Sequence, residues 1–450
     1  MSQLAEVQSR PQRYALPCSS HGYEDSPSLR HYVLSCPACG STSEDDGYML
    51  QCPTCRAPAL LKAHYDATEL TIAAEEPGIF RYRDWLPVRR SLATPGLTVT
   101  YRSEQLSRAT GLENLWIAFN GFWPERNAHL ETGTFKELEA YCVLARLPAN
   151  NQKTMVVASA GNTAAAFAQA CSANGTRCLL VVPESALAHL RFSRAISSCV
   201  KVVAVTGGAD YSDAIRLAER AAHIPGFFAE GGAKNVARRD GLGTVLLNAF
   251  ERLRRLPDYY FQAVGSGTGA IAVHEMARRL TGGIGPFPRL WLSQNVPFAP
   301  IYDAWKSGTR QMPSLSETAA KSRIRQIGAK VLANRFPPYA VQGGLYEALV
   351  QSQGTVLAVT NGQAVQAAEI FEASEGIDLA PAAAIAFASL LRSAKEKRIH
   401  PGSTVLLNVT GGGQHRRFFN SSSIALPADL SIASTEIESS RSLENIAMLF

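Results

Sequence analysis

The sequence predicts an α/β protein built mainly on parallel sheets. From about residue 113, short apolar runs alternate with segments of helical periodicity, a pattern typical of strand, helix and strand units. The predicted strands are 115–118, 155–158, 178–182, 200–205, 260–264 and 289–294, and the predicted helices are 135–147, 163–174, 185–197, 211–223, 242–256 and 270–281. The chain has 450 residues, of which 46% are apolar, so it can bury the cores of two or three domains.

The charge of the chain is modest and is spread along it. A net charge of +6 without a concentrated basic segment favours small anionic ligands over nucleic acid as partners. No run approaches the roughly 18 apolar residues of a membrane span, and the first residues lack the basic and apolar regions of a signal peptide. We therefore expect a cytoplasmic protein with no nucleic-acid or membrane partner, and a homo-oligomer stays open.

Four of the nine cysteines predict a small metal-binding segment near the N-terminus. Cys36 and Cys39 form one pair, Cys52 and Cys55 form a second, and twelve residues separate the two pairs. Four thiolates at this spacing can surround a zinc ion tetrahedrally, as in a zinc ribbon. Such a site is structural, since four thiolates leave no position for a substrate. The alternative is a ribbon that has lost its metal, because the intervening loop is shorter than usual.

Lys136 is the first candidate catalytic residue. Thr134 and Glu137 have the spacing of a capping box that opens a helix, so the plain alternative for Lys136 is a solvated lysine of the first turn. Ser159-Ala-Gly-Asn-Thr163 follows an apolar run and precedes a helical segment. Such turns in open parallel sheets are places where ligands bind, although this one could be a tight connection alone.

The loop Gly265-Ser-Gly-Thr-Gly269 lies between a predicted strand and a predicted helix. Its backbone N–H groups, with the start of the helix, can hold a phosphate dianion. A dinucleotide site would want an acidic residue at the end of the next strand, and 289–295 offers none. A later turn places the hydroxyl of Thr410 at another strand end, unless it is a turn and nothing more. Together, the lysine, the asparagine turn and the phosphate loop suggest a pyridoxal-phosphate enzyme.

These motifs, in this order over residues 31–416, resemble those of the threonine synthases. That family usually has Ser-Phe-Lys-Asp-Arg-Gly around its lysine, whereas this chain has Thr134-Phe-Lys-Glu-Leu-Glu139. The chain is more similar to the cysteate synthases, which are relatives of the threonine synthases. The stretches that carry this resemblance are Gly121-Phe-Trp-Pro-Glu125, Thr134 to Ala140, Glu230-Gly-Gly-Ala-Lys-Asn-Val-Ala-Arg-Arg239, Phe261 to Gly269, and Gly343-Gly-Leu-Tyr-Glu-Ala-Leu349.

The resemblance implies a fold type II pyridoxal-phosphate enzyme, similar to the tryptophan synthase β chain, with two open parallel sheets and the zinc-ribbon-like segment in front. The expected divisions are a tail at 1–30, the ribbon at 31–66, a large cofactor-binding domain at 67–145 and 241–416, a small α/β domain at 146–240, and a C-terminal tail at 417–450.

The resemblance also implies roles for individual residues. Lys136 would bind pyridoxal 5'-phosphate as an internal aldimine and later move protons at the substrate Cα. Asn162 would bond the ring hydroxyl, and Thr410 the pyridine nitrogen. Backbone N–H groups of the turn would take the substrate carboxylate, and those of the glycine loop the cofactor phosphate. The turn consists of Ser159, Ala160, Gly161, Asn162 and Thr163, and the loop of Gly265, Ser266, Gly267, Thr268 and Gly269.

The reaction implied is a β-replacement that converts O-phospho-L-serine and sulfite to L-cysteate and phosphate through an aminoacrylate. Both phosphate and sulfite are anions, so the pocket needs positive charge. The candidates are Arg126, Lys234, Arg238 and Arg239, each of which could instead be a solvated surface base.

Three alternatives are open. The first is a threonine synthase that acts at the γ-carbon of O-phosphohomoserine, and the second is β-replacement on phosphoserine with another nucleophile. The third is a zinc-ribbon interaction protein on a degenerate, cofactor-free scaffold.

Overall fold

A large sheet forms one half of the architecture. The computed structural model describes residues 31–93, 96–159, 161–418 and 423–450, so the tail expected at 1–30 lies outside the described residues. The strands of the large sheet are β4 (Val99–Arg102), β5 (Asn114–Phe119), β13 (Tyr259–Ala263), β14 (Arg289–Asn295), β15 (Thr355–Val359) and β16 (Thr404–Val409). Their order is β15-β14-β13-β16-β5-β4, and every neighbouring pair is parallel except β4 with β5. The central strand β16 is buried along its whole length, which is typical of a sheet covered on both faces.

A second, smaller sheet consists of parallel strands only. Its strands are β8 (Thr154–Ala158), β9 (Cys178–Pro183), β11 (Val200–Thr206), β12 (Phe227–Ala229) and β18 (Leu430–Ala433), in the order β12-β8-β9-β11-β18. The predicted α/β class with parallel sheets is thus confirmed. Apart from β18, each sheet takes its strands from the range expected for its domain; the exact domain boundaries stay a prediction.

The C-terminal segment is part of the fold, and the expectation of a tail at 417–450 is wrong. β18 continues the small sheet, with Leu430 opposite Val203 and Ala433 opposite Thr206. Ile432 is buried there, because the apolar edge of β11 needs a covering strand. The weak periodicity of this segment hid two short strands, at Ile424–Ala425 and Leu430–Ala433, and a short helix at Ser440–Ala447.

The helices largely follow the predicted ranges. They are α1 (Glu104–Thr110), α2 (Lys136–Arg146), α3 (Asn162–Ala173), α4 (Tyr211–Ala221), α5 (Val236–Leu253), α6 (Thr268–Leu280), α7 (Pro300–Lys306), α8 (Glu317–Gln326), α9 (Leu345–Gln351), α10 (Asn361–Glu375), α11 (Pro381–Lys395), α12 (Gln414–Arg417) and α13 (Ser440–Ala447). Helix α5 begins six residues earlier than predicted, since the side chain of Asn235 caps it by accepting from Ala237 N. No helix within the described ranges is long and apolar enough to cross a bilayer.

The helix predicted at 185–197 does not form. A 3₁₀ turn covers Glu184–His189, and strand β10 (Arg191–Phe192) follows it. β10 pairs with β17 (Ile424–Ala425), and Phe192 is buried. Tertiary pairing with a distant segment therefore overrides the local helical pattern. A small hairpin joins β6 (Phe122–Trp123) to β7 (Ala128–His129), a few residues before Lys136.

The ribbon at the N-terminus is a three-stranded antiparallel sheet. It consists of β1 (Tyr32–Ser35), β2 (Thr42–Ser43) and β3 (Lys62–Tyr65), in the order β2-β1-β3. Asp45 in its loop makes two hydrogen bonds to the guanidinium of Arg146, the last residue of α2, and both side chains are almost fully buried. This ion pair holds the pKa of Asp45 below and that of Arg146 above the ordinary values, despite the opposing effect of burial. The ribbon is thereby fixed to the helix that begins at Lys136.

Candidate active site and cysteine cluster

One cavity brings together the motifs that the sequence analysis singled out. The space between its walls amounts to about 840 Å³, part of which is open to solvent. Twelve of the sixteen residues predicted for the cofactor and substrate line it: Lys136, Ser159, Gly161, Asn162, Thr163, Arg238, Gly265, Ser266, Gly267, Thr268, Gly269 and Thr410. Ala160 lies outside the described residues.

Backbone hydrogen bonds place Thr410 next to Lys136. The N–H of Phe135 donates to the carbonyl of Thr410 at 3.1 Å, and Gly412 N donates to Gly133 O at 3.1 Å. The turn before α2 therefore forms a short antiparallel bridge with the turn after β16. Two segments about 270 residues apart in the chain, as the numbering shows, thus meet at the carboxyl end of the large sheet, where ligands bind in open α/β folds.

The asparagine turn opens α3 at the end of β8. The hydroxyl of Ser159 accepts from Gly161 N at 3.1 Å and from Ala164 N at 2.9 Å, and so caps the helix. Gly161 has φ 144°, a conformation that only glycine adopts readily. The N–H of Ser159 already donates to Val181 O, so the first N–H groups of α3, at Asn162 and Thr163, are better placed for an anion than that of Ser159.

The glycine loop connects β13 to α6, and neighbouring atoms approach its three glycines closely. A Cβ on Gly267 would lie 2.5 Å from Leu345 Cδ2, and Gly267 has φ 78°. A Cβ on Gly265 would lie 3.0 Å from Leu332 O, and one on Gly269 would lie 2.7 Å from Gln262 Nε2. The bare backbone at the start of a thirteen-residue helix fits a phosphate group, because N–H groups and the helix dipole both favour an anion.

The amine of Lys136 lies in a buried group of charges. Its Nζ donates to Glu139 Oε2 at 3.1 Å, and Glu139 Oε1 lies 3.1 Å from a guanidinium nitrogen of Arg238. Burial lowers the pKa of Lys136 below its ordinary value, although the Glu139 carboxylate opposes this effect. Burial would also lower the pKa of Arg238, but the carboxylates of Glu139 and Glu230 hold it above its ordinary value. A lysine with a lowered pKa in a cleft is suited to act as a nucleophile and a base.

Three of the four cations expected in the pocket are elsewhere. Arg126 is exposed and stacks on Tyr101 and Trp123, with its guanidinium carbon 4.3 Å and 4.7 Å from the two rings. Lys234 is exposed. Arg239 is fully buried beside α6, where it pairs with Glu275 at 3.0 Å. The predictions for these three residues as pocket cations are wrong, because motif neighbourhood in the sequence does not give the direction of a side chain.

Three residues at the site were missed by the sequence reasoning: Tyr211 and Gln262 line the cavity, and Glu139 contacts Lys136 beside it. Glu139 stands three residues after Lys136 on the same helix, and this spacing could have identified it. Tyr211 reaches the cavity from the start of α4, and Gln262 from β13, where it accepts from Tyr260 at 2.6 Å. Tyr211 belongs to no motif, and Gln262 has no role assigned within the stretch Phe261 to Gly269, so only the fold reveals that they line the site.

Comparison with known proteins agrees with this geometry. Residues 94–411 match the family described as pyridoxal-phosphate dependent enzyme. The chain is 47% identical over 390 residues to a protein of Methanocella paludicola named cysteate synthase, an alignment that covers 86% of this chain and 90% of the relative. It is 46% identical over 390 residues to the cysteate synthase of Methanocorpusculum labreanum, covering 86% and 93%. The chain belongs to the cysteate synthase family. It is therefore a pyridoxal-phosphate-dependent enzyme, and the hypothesis of a cofactor-free interaction protein is excluded.

Solved structures confirm the fold type expected for this family. The structure of maize serine racemase aligns with a TM-score of 0.53 and 17% identity, covering 70% of this chain and 88% of the racemase. At this identity the likeness concerns the fold alone. The cysteate synthase family member described here is accordingly a fold type II enzyme with two open sheets and a ribbon-like segment in front of them.

The four cysteines predicted to bind metal are together. The Sγ atoms of Cys36, Cys39, Cys52 and Cys55 all lie within 4.8 Å of one another. The Sγ atoms of Cys36 and Cys55 are 3.7 Å apart, as are those of Cys39 and Cys52. Tetrahedral zinc with bonds of about 2.3 Å separates its sulfur ligands by about 3.8 Å, so the cluster has the dimensions of a zinc site. These thiols could hold one structural zinc ion in the ribbon, far in sequence from Lys136.

Proposed function

We propose that this enzyme converts O-phospho-L-serine and sulfite to L-cysteate and phosphate. The observation that carries the proposal is the meeting of Lys136, the start of α3, the glycine loop and Thr410 in one cavity of a chain so similar to named cysteate synthases. In this reaction the Cβ–O bond to phosphate breaks and a Cβ–S bond to sulfite forms. One proton leaves Cα and is later returned to it.

The residues present fit pyridoxal phosphate. When bound, this cofactor supplies an electron sink beside the substrate Cα. We assign its phosphate to the N–H groups of the loop Gly265–Gly269, its ring hydroxyl to Asn162, and its ring nitrogen to Thr410. A threonine hydroxyl leaves that nitrogen without a proton, which favours elimination over deeper carbanion chemistry. The side chain of Lys136 holds the cofactor.

The same chain residues can bind and orient the substrate. We assign its carboxylate to the first N–H groups of α3, at Asn162 and Thr163, where the helix dipole favours an anion. Once released from the cofactor, Lys136 Nζ removes the proton from Cα and later returns it. The side chains of Phe135 and Tyr211 border the cavity and help to exclude water.

The side-chain cations of the pocket can account for only part of the binding of phosphate and sulfite. Arg238 lines the cavity, but two hydrogen bonds to Glu230 and an ion pair with Glu139 already neutralise it. We therefore propose that phosphate and sulfite depend mainly on backbone N–H groups at helix starts, with Arg238 as a secondary source of positive charge.

A product assay tests the proposal. Purified enzyme is incubated with phosphoserine or phosphohomoserine, each with and without sulfite, and the products are identified by mass; Lys136→Ala serves as the inactive control. Cysteate from phosphoserine and sulfite is expected. Phosphohomoserine should be poor, because it is one methylene longer and a displacement of about 1 Å can cost about a hundredfold in rate.

Two other outcomes have definite meanings. Threonine from phosphohomoserine, with no cysteate from phosphoserine, would show a threonine synthase instead. A different nucleophile that outcompetes sulfite would retain the β-replacement chemistry and change the product.

We also propose the cytoplasm as the location, because a four-thiolate metal site suits a reducing compartment.

A further inference from the structure

Within the described residues, Glu139 is the carboxylate in contact with the amine of Lys136. The two residues stand three apart at the start of α2, so their side chains share one face of the helix. Nζ and Oε2 are 3.1 Å apart, and the Glu139 side chain has no exposed surface. A carboxylate buried this completely beside a cofactor-binding lysine has a strong effect on where a proton resides.

The other oxygen of Glu139 is held from two further helices. Glu139 Oε1 accepts from the hydroxyl of Thr163 in α3 at 3.1 Å, and it pairs with Arg238 of α5 at 3.1 Å. Arg238 in turn donates to both carboxylate oxygens of Glu230, at 2.8 Å and 2.5 Å. The Glu139 carboxylate therefore cannot rotate away from Lys136 without breaking contacts to two other elements.

The charges of this group alternate and balance. Lys136 and Arg238 are cations, Glu139 and Glu230 are anions, and all four side chains are largely buried. Tyr211 is the other titratable group facing them, and burial raises the pKa of its phenol, which stays neutral. Loss of the proton from Lys136 leaves two carboxylates with one guanidinium. An unbalanced charge at such a site is costly, so the two carboxylates favour a positive nitrogen at Lys136 and oppose the burial that lowers the pKa of this amine.

We propose that Glu139 is a positioning residue that directs the nitrogen of Lys136 into the cavity and keeps a proton on it. The proton that Lys136 removes from Cα then stays on Nζ, paired with Glu139, until it is returned to Cα after the Cβ–S bond forms. The inference rests on the proposed role of Lys136 in holding the cofactor, and it does not depend on which substrate is used. A merely structural alternative is that Glu139 ties α2 to α5.

The test compares Glu139→Gln with wild type and with Glu137→Gln as a matched control. Glu137 is a buried glutamate of the same helical turn that bonds Thr132 and does not line the cavity. The visible absorption of the cofactor-loaded enzyme is titrated with pH in the absence of substrate. Removal of an opposite charge in contact should lower the midpoint by about 1–3 pH units in Glu139→Gln and leave Glu137→Gln at the wild-type value.

A second measurement uses the cofactor-free protein. Only the neutral amine captures pyridoxal phosphate, so Glu139→Gln should capture it faster near neutral pH, by up to about tenfold for each pH unit by which the midpoint falls. An ion pair that only ties helices together would leave both the midpoint and the capture rate at the control values, and that result would overturn the proposal.

If circular dichroism shows that Glu139→Gln does not fold, the same titration is carried out on Glu230→Gln. This variant leaves Glu139 in place, but gives Arg238 one carboxylate instead of two, so the midpoint should also fall. An unchanged midpoint there overturns the proposal. Because the titration needs no substrate, a wrong substrate assignment leaves it intact, whereas a wild-type enzyme without a visible band would refute the role of Lys136 itself.

Discussion

Glu137, next to Lys136, should make the stability of this enzyme depend on pH. Its side chain is 2% exposed, and burial raises its pKa from 4.5 to about 7, although hydrogen bonds from Thr132 oppose the rise. In the unfolded chain the carboxyl ionises near 4.5, whereas in the folded protein it keeps its proton until about pH 7. The stabilising contribution is thus complete below 4.5 and is lost as pH rises to about 7.

The magnitude follows from this interval. At about 1.4 kcal/mol for each pH unit, the interval corresponds to about 3 kcal/mol in the free energy of unfolding. Glu137→Gln keeps an oxygen that can accept from Thr132 but cannot ionise, so it removes this pH dependence. The difference in unfolding free energy between variant and wild type should therefore increase by about 2 to 3 kcal/mol, in favour of the variant, from about pH 5 to about pH 8.

The assay is urea unfolding of both proteins across that pH range, followed by far-ultraviolet circular dichroism. The informative quantity is how the difference in unfolding free energy between variant and wild type changes with pH. An effect of the substitution on packing is the same at every pH and does not alter this change. A difference that stays the same at all pH values would refute the reasoning, and would mean that Glu137 ionises in the folded protein as it does in the unfolded chain.

Three further predictions concern the site, the ribbon and the misplaced cations. Lys136→Ala should lose the visible absorption of the bound cofactor and nearly all turnover; normal spectra would remove Lys136 from its role. Protein purified without chelator should contain about one zinc per chain, and Cys52→Ser should lose it, whereas four freely titrating thiols in native protein would show an empty site. Arg126→Ala and Lys234→Ala should keep turnover within about twofold of wild type. Arg239→Ala should instead lower the unfolding free energy by about 3–5 kcal/mol, because it leaves the Glu275 carboxylate unpaired. Measuring the activity and the urea unfolding of all three variants separates an effect on turnover from an effect on stability.

The fold and the cofactor site were accessible from the sequence because their signals are local. Alternating apolar runs predicted the parallel sheets, and three glycines within five residues, between a predicted strand and a predicted helix, marked the loop at 265–269. Lys136, Asn162 and Thr410 each stand at a strand end or helix start, and parallel strands bring such ends to the same edge of a sheet. These residues could therefore be grouped before their contacts were known.

The rest depended on contacts between distant segments. Nothing in the sequence around Leu430 indicates that it pairs with Val203, and nothing around Arg191 indicates that the chain there pairs with residues near Ile424 instead of forming a helix. The directions of Arg238 and Arg239 likewise differ because adjacent residues of a helix point about 100° apart, so one reaches the cavity and the other reaches Glu275.

The ion pair between Asp45 and Arg146 limits how far this enzyme can be shortened from its N-terminus. Arg146 closes the helix that Lys136 opens, and its buried guanidinium donates three hydrogen bonds to the ribbon, two to Asp45 and one to Met49 O. Deletion of the ribbon would strand that charge inside the protein, at about 3–5 kcal/mol. The ribbon is therefore required for the stability of the rest of the enzyme. A shortened protein that lacked the ribbon but kept Lys136 and the other cavity residues would still lose the contacts that hold the C-terminal end of α2.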